Sequence, residues 1–169
     1  MTGEAKPGFS SKKRGEELPL STRAFEELLR SVLAKGMCCR FLVRGFSMSP
    51  FIRNGDVVTV SPLGSAAHGL GDVVVFVPLR GGGPVIHRVV GKLNGSYVLK
   101  GDNLPESDGL VPPENILGYI RAVERKGKRI SVGLGPEKVL IALLTRRGLL
   151  TRMLLPLRKA ARLATRGLE

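Results

Sequence analysis

Between Met37 and Ile130 the apolar residues fall in short β-branched runs rather than in helical stripes. The runs are Arg40-Phe41-Leu42-Val43, Val57-Val58-Thr59-Val60, Val73-Val74-Val75-Phe76-Val77, Val85 to Val90, Tyr97-Val98-Leu99, Ile116 to Val123 and Arg129-Ile130-Ser131-Val132. Turn chemistry separates them: Ser61-Pro62, Gly81-Gly82-Gly83-Pro84, Asn94-Gly95 and Lys126-Gly127. Branched side chains suit a pleated, half-buried surface, whereas Gly, Pro and Asn interrupt it. Asn94-Gly95 between two such runs is a strong hairpin signal. The expected fold is therefore mainly β, a body of short strands. At 169 residues the chain is long enough for one domain with a buried core.

Helical periodicity flanks this body. Phe25, Leu28, Leu29, Val32 and Leu33 make one apolar stripe, with Ser21 or Thr22 to cap its start and Gly36 to stop it. After Pro136, Val139, Leu140, Leu143 and Leu144 make a second stripe, and Gly148 and Pro156 punctuate the residues beyond it. The organisation read from these shifts is a flexible polar arm over 1–17, a β domain with its N-terminal helix over 18–132, and a basic amphipathic helical tail over 133–169.

Charge narrows the partners. Lys and Arg number 27 against 14 acidic residues, a formal balance of +13 that favours anionic surfaces. Aromatic residues make up 5% and Trp is absent, which argues against base-stacking and hence against nucleic acid as the partner. Arg146, Arg147, Arg152, Arg158, Lys159, Arg162 and Arg166 alternate with leucines, the composition of a helix that lies on an anionic membrane surface. The same composition suits a helical hairpin that covers the β body with its arginines in solvent. No apolar h-region opens the chain and no run of about 18 apolar residues occurs, so the expected location is cytoplasmic or peripheral to a membrane. Cys38 and Cys39 are adjacent and have no second pair, so they are expected as buried free thiols.

Chemistry concentrates at Gly45-Phe46-Ser47-Met48-Ser49-Pro50, with Gly55-Asp56 just beyond. A serine in a tight turn between strands presents a hydroxyl at a fixed point, but it needs a base to become a nucleophile. His87, one of two histidines, sits in a strand and suits that role. A carboxylate would fix its tautomer, and two are available in the loop after Tyr97. Asp102, in Gly101-Asp102-Asn103, could instead satisfy backbone amides, while Asp108 lies further out and is freer to reach a ring nitrogen. Ser49, held before Pro50, shapes the turn; His68 is read as a surface histidine, and Lys100 as an ion-paired or surface lysine. Neither metal-ligand spacing nor a phosphate loop is present, so no metal or cofactor is expected.

In order and framing these segments resemble the signal peptidases, membrane-associated serine endopeptidases that trim secretory leaders. Gly45 to Pro50 with Gly55-Asp56 resembles the nucleophile box, Gly71-Asp72-Val73-Val74-Val75-Phe76 the next strand box, and His87-Arg88-Val89-Val90-Gly91 the base box. Bacterial members carry Lys at that base position, whereas archaeal and endoplasmic-reticulum members carry His. Lys100-Gly101-Asp102-Asn103 with Asp108, then Ile116-Leu117-Gly118, resembles the last box. The resemblance covers about residues 40 to 123. It implies Ser47 as nucleophile, His87 as general acid and base, and Asp108 as the orienting acid. Gly45, Phe46, Met48 and Asp102 would serve substrate, oxyanion and support. It also implies a leader-like peptide substrate with small residues before the cut, bound as an added strand. Many bacterial members carry a second serine two residues before the nucleophile, where this chain has Gly45. Two further readings are a self-cleaving regulator of the LexA type, which shares the β-fold but uses a Lys base, and a basic membrane- or nucleic-acid-binding β module without activity.

Overall fold

A computed structural model describes residues 21–64 and 68–152. The polar arm over 1–17 and the tail from Met153, with Arg158, Lys159, Arg162 and Arg166, lie outside the described residues. The fold is mainly β, a curled antiparallel sheet with short helices.

Helix α1 spans Thr22–Ala34, and the Ser21 hydroxyl accepts from the Ala24 amide, so the cap falls at one of the two expected residues. Leu29 and Leu33 are buried with Phe25 beside them, whereas Leu28 is exposed, which makes the inward stripe narrower than its periodicity suggests. The strands are β1 (Cys39–Leu42), β2 (Val57–Pro62), β3 (Val73–Phe76), β4 (Val85–Leu93), β5 (Ser96–Lys100), β6 (Leu110–Val111), β7 (Ile116–Arg125) and β8 (Lys128–Ile130), and helix α2 is Lys138–Arg146. Their order in the sheet is β1-β2-β7-β3-β4-β5-β6, with β8 pairing β7. Register shifts at Thr59/Val60, Val75/Phe76 and Val89/Gly91 mark bulges, which bend and over-twist the strands and so curl the sheet.

Both faces of β3 are buried, which explains its unbroken apolar run. Val73 and Val75 join Leu29, Leu33, Val58, Val60, Ile120 and Val123 in one core cluster; Val74 and Phe76 join Val89, Leu99, Val111 and Ile116 in the other. Asn94 and Gly95 both take positive φ in the β4–β5 hairpin, and Lys126 and Gly127 do so in the β7–β8 hairpin.

Three expectations need correction. Ser61-Pro62 ends strand β2 instead of breaking it: β1 reaches only as far as Val60, so the missing proline N–H costs no bond on that side, while Pro62 pairs with Gly118 of β7. The cysteines are not buried thiols. Cys38 is exposed with Sγ 3.2 Å from the Ser61 hydroxyl, and Cys39 is half-buried, where desolvation pushes its thiol above the usual range against an opposing backbone hydrogen bond. Helix α2 turns a different face inward from the one its leucines suggest. Ile141, Ala142 and Thr145 are buried, while Val139, Leu140 and Leu143 are exposed.

Polar anchors account for that rotation. Lys138 bonds Asp72, Thr145 bonds Asp102, and Glu137 accepts from the Gly133 and Gly135 amides. The described part of the segment after 132 is thus built onto the β body. Among the described residues no helix is long and apolar enough to cross a membrane.

Candidate functional site

Strand β1 delivers the chain into the Ser47 turn, and Gly55-Asp56 hold that turn from behind. The Gly55 amide bonds the Val43 carbonyl and the Gly45 amide donates to Asn54 Oδ1. Gly45 has φ +108, a conformation that L side chains rarely adopt. The Asp56 carboxylate is buried and takes the Arg53 amide and both arms of Arg125, whose guanidinium also reaches the Phe51 carbonyl. Burial opposes ionisation of Asp56, but the Arg125 hydrogen bonds, the Arg53 amide and the two positive charges outweigh it and hold the carboxyl below its ordinary range. Met48 and Ile52 are buried beneath the turn, and Phe46 stands out of it, 68% exposed. Ser47 is half-buried, and its N–H donates no hydrogen bond among the described residues.

Strand β4 presents His87 and Arg88 on opposite faces, as strand alternation requires. His87 is 3% exposed and lies beside Phe76, with ring centroids 5.8 Å apart. Its Nδ1 is 2.6 Å from Asp108 Oδ2, and its Nε2 is buried without a hydrogen-bond partner. That bond leaves Nε2 as the face of the ring able to accept a proton once Nδ1 donates to the carboxylate. Asp108 reaches the ring because its amide bonds the Leu99 carbonyl, pinning the loop's return to the sheet.

The Gly101-Asp102-Asn103 segment joins the two halves. A Cβ at Gly101 would lie 2.8 Å from the Ser47 carbonyl oxygen and 3.0 Å from His87 Nε2, so the Ser47 main chain and the His87 ring both pack against Gly101, while no hydrogen bond joins the Ser47 side chain to Nε2. The Asn103 amide donates to the Ser47 carbonyl at 2.8 Å, and Asn103 Nδ2 donates to the Phe46 carbonyl at 2.8 Å. Asn103 Oδ1 is buried and unpartnered in the same region.

Asp102 has a different partner from its neighbour Asp108. Arg88 Nε and Nη2 donate to its two oxygens at 2.8 and 2.7 Å, and both side chains are fully buried. Arg88 Nη1 adds bonds to the Gly71 and Gly133 carbonyls, each 2.8 Å, and the guanidinium sits 5.6 Å over the Phe51 ring. The Asp102 side chain therefore serves a guanidinium and a hydroxyl, not the backbone amides its turn suggests. Between the two carboxylates left open by the sequence, Asp108 is the one on His87.

Two other readings change. His68 is not a surface histidine: its ring stacks on Tyr119 at 4.7 Å, Nδ1 lies 3.7 Å from Asp72 Oδ2, and Nε2 is buried. Lys100 is 5% exposed, because it pairs across from Arg88 on the covered face of the sheet. Asp72 is bound by Lys138 and the Gly69 amide; these bonds outweigh the burial that would raise its pKa and keep it below the ordinary range.

Gly101, Asn103 and Arg88 stand within segments that carry the resemblance but had no role of their own there, and Thr145 was missed. Alternation along β4 could have placed Arg88 opposite His87, and the Gly-Asp-Asn turn marked the loop. Nothing near Thr145 signals its partner.

No known family model matches this sequence, and no curated protein is significantly similar to it.

Proposed function

We propose that this protein is a serine endopeptidase of the signal-peptidase type, built on the β-fold that such enzymes share with LexA-type regulators. The observation that carries the reading is the His87–Asp108 pair at 2.6 Å, with Nε2 unpartnered and, like the Ser47 main chain, packed against Gly101.

In this reading the Ser47 hydroxyl attacks the scissile carbonyl and passes its proton to His87 Nε2. The imidazolium, stabilised by Asp108, then gives that proton to the leaving amine, and water hydrolyses the acyl-serine by the same relay in reverse. The unengaged Ser47 N–H is one donor for the oxyanion. Gly45 offers no side-chain hydroxyl as a second, and one such donor is typically worth about 10²–10³ in rate. A modest turnover is the consequence. The partner is a peptide or protein with a leader-like segment carrying small residues before the cut, added beside the Ser47 segment as a strand.

Purified protein is offered a peptide with Ala-X-Ala before the cleavage point, with and without anionic liposomes. Cleavage after the second alanine by the native chain and none by Ser47→Ala is the expected result. Equal cleavage by both removes Ser47 as nucleophile, and cleavage by neither favours the binding-module reading.

A further inference from the structure

The site depends on the loop that follows β5, held on one side by the Arg88 fork of β4 on Asp102. Gly101-Asp102-Asn103 brings the Asn103 amide to the Ser47 carbonyl and packs Gly101 against His87 Nε2. Further anchors come from the C-terminal segment. Thr145 Oγ1 donates to Asp102 Oδ1 at 3.1 Å, Thr151 Oγ1 donates to the Leu104 carbonyl at 3.2 Å, and the Gly133 carbonyl accepts from Arg88.

Thr145 is 1% exposed, while Val139, Leu140 and Leu143 of the same helix face outward. An apolar stripe ordinarily decides which face of a helix is buried. Here the inward face pairs the apolar Ile141 and Ala142 with a hydroxyl, and a buried hydroxyl persists only where it has a partner. Helical threonines commonly bond a carbonyl one turn back, whereas this one reaches across to a carboxylate. The helix is meanwhile fixed independently of the loop, by Lys138 on Asp72 and by the burial of Ile141 and Ala142. It forms a rigid rail against which the loop is set.

We propose that Thr145 is a positioning residue for the Ser47–His87 site, acting through Asp102, a proposal that rests on the serine-peptidase reading. The Arg88 fork fixes the plane of the Asp102 carboxylate, and the third bond from α2 fixes the loop along that plane. Reacting groups held within a fraction of an ångström are what such supporting bonds secure, and small misplacements far from the chemistry cost rate.

The test compares Thr145→Val, which keeps the shape and removes the donor, with Thr145→Ser, which restores it. Amide hydrogen exchange is read at Asn103 and, as an internal control, at Val75 in the sheet. In Thr145→Val the Asn103 amide is expected to exchange about tenfold faster, the scale of one lost hydrogen bond, with Val75 unchanged and Thr145→Ser like the native chain. On the Ala-X-Ala peptide kcat is expected to fall about tenfold with KM unchanged. Thr151→Val, which removes the tie to Leu104, is expected to act in the same direction. Unchanged Asn103 exchange in Thr145→Val overturns the proposal, as does faster exchange at Asn103 and Val75 alike, which marks a structural role alone. If the native chain cleaves no peptide, the serine-peptidase reading falls, while the exchange comparison still decides whether Thr145 sets the loop.

Discussion

Two carboxylates six residues apart meet two neighbouring residues of one strand and end in opposite circumstances. Asp102 and Arg88 are sealed from solvent and bonded at both oxygens. Asp108 is 24% exposed, holds one nitrogen of His87 and leaves the other free. Since residues 87 and 88 point to opposite faces of β4, the strand sends one pair into a closed interior and the other to the Ser47 turn. A fully satisfied pair has no group left to react, so it braces. A pair with one buried nitrogen free retains a place to put a proton. Satisfaction separates architecture from chemistry here more clearly than charge does.

The largest effect expected from this contrast is kinetic. Asp108→Asn removes the carboxylate from His87 and is expected to lower kcat by about 10⁴, the scale of that substitution in a serine triad, with little change in melting temperature because its site is partly open. Asp102→Asn should weight the two the other way, with the larger loss in stability and only about a tenfold fall in kcat through the loop. It leaves Arg88 buried and uncompensated, a loss of about 3–5 kcal/mol, read as a fall in Tm on the order of 10 °C by calorimetry. A single variant that showed both effects in equal measure would collapse the distinction. Replacing both members, Arg88→Met with Asp102→Leu, is expected to recover part of the lost stability without restoring loop geometry.

Acid titration gives a smaller effect. Asp56 and Asp72 have carboxyls held below their unfolded range, so the native state binds fewer protons than the unfolded chain as pH falls. Their contribution is fully present above the unfolded carboxyl range and is lost as pH drops through the depressed folded values. The urea midpoint is therefore expected to fall between about pH 5 and pH 3, and to fall less steeply in Arg125→Met, which removes the chief cause of the Asp56 depression. An equal slope in that variant contradicts the assignment. The smallest effect lies outside both pairs: Ser21→Ala removes the α1 cap, costs about 1 kcal/mol and should leave kcat unchanged.

How much of the molecule was legible in the sequence depends on how local each cause is. The β4–β5 and β7–β8 hairpins were readable because two residues with positive φ are chosen by the turn itself. Strand β6 was not: Leu110–Val111 is a strand only because Tyr97 and Val98 are there to pair with it. The Ser47 turn, His87 and Asp108 could each be named, yet the close packing of the Ser47 main chain and the His87 ring depends on Gly101, whose role is visible only as the atoms a Cβ would strike. Helix α2 was found, but its inward face was misassigned, since partners on the loop before β3 and on the Asp102 loop outrank its own leucine stripe. Periodicity reports apolar driving force. It cannot report a buried hydroxyl with a distant acceptor.

The central claim is that His87 and Asp108 activate Ser47, and an acid-quenched reaction with an ester of a peptide ending in Ala-X-Ala tests it most directly. Peptide mapping of the quenched protein by mass spectrometry is expected to place the acyl group on Ser47 in the native chain, to find none in Ser47→Ala, and to find it forming far more slowly in Asp108→Asn. An acyl group on another residue, or the same rate of acylation with and without the Asp108 carboxylate, would contradict the account.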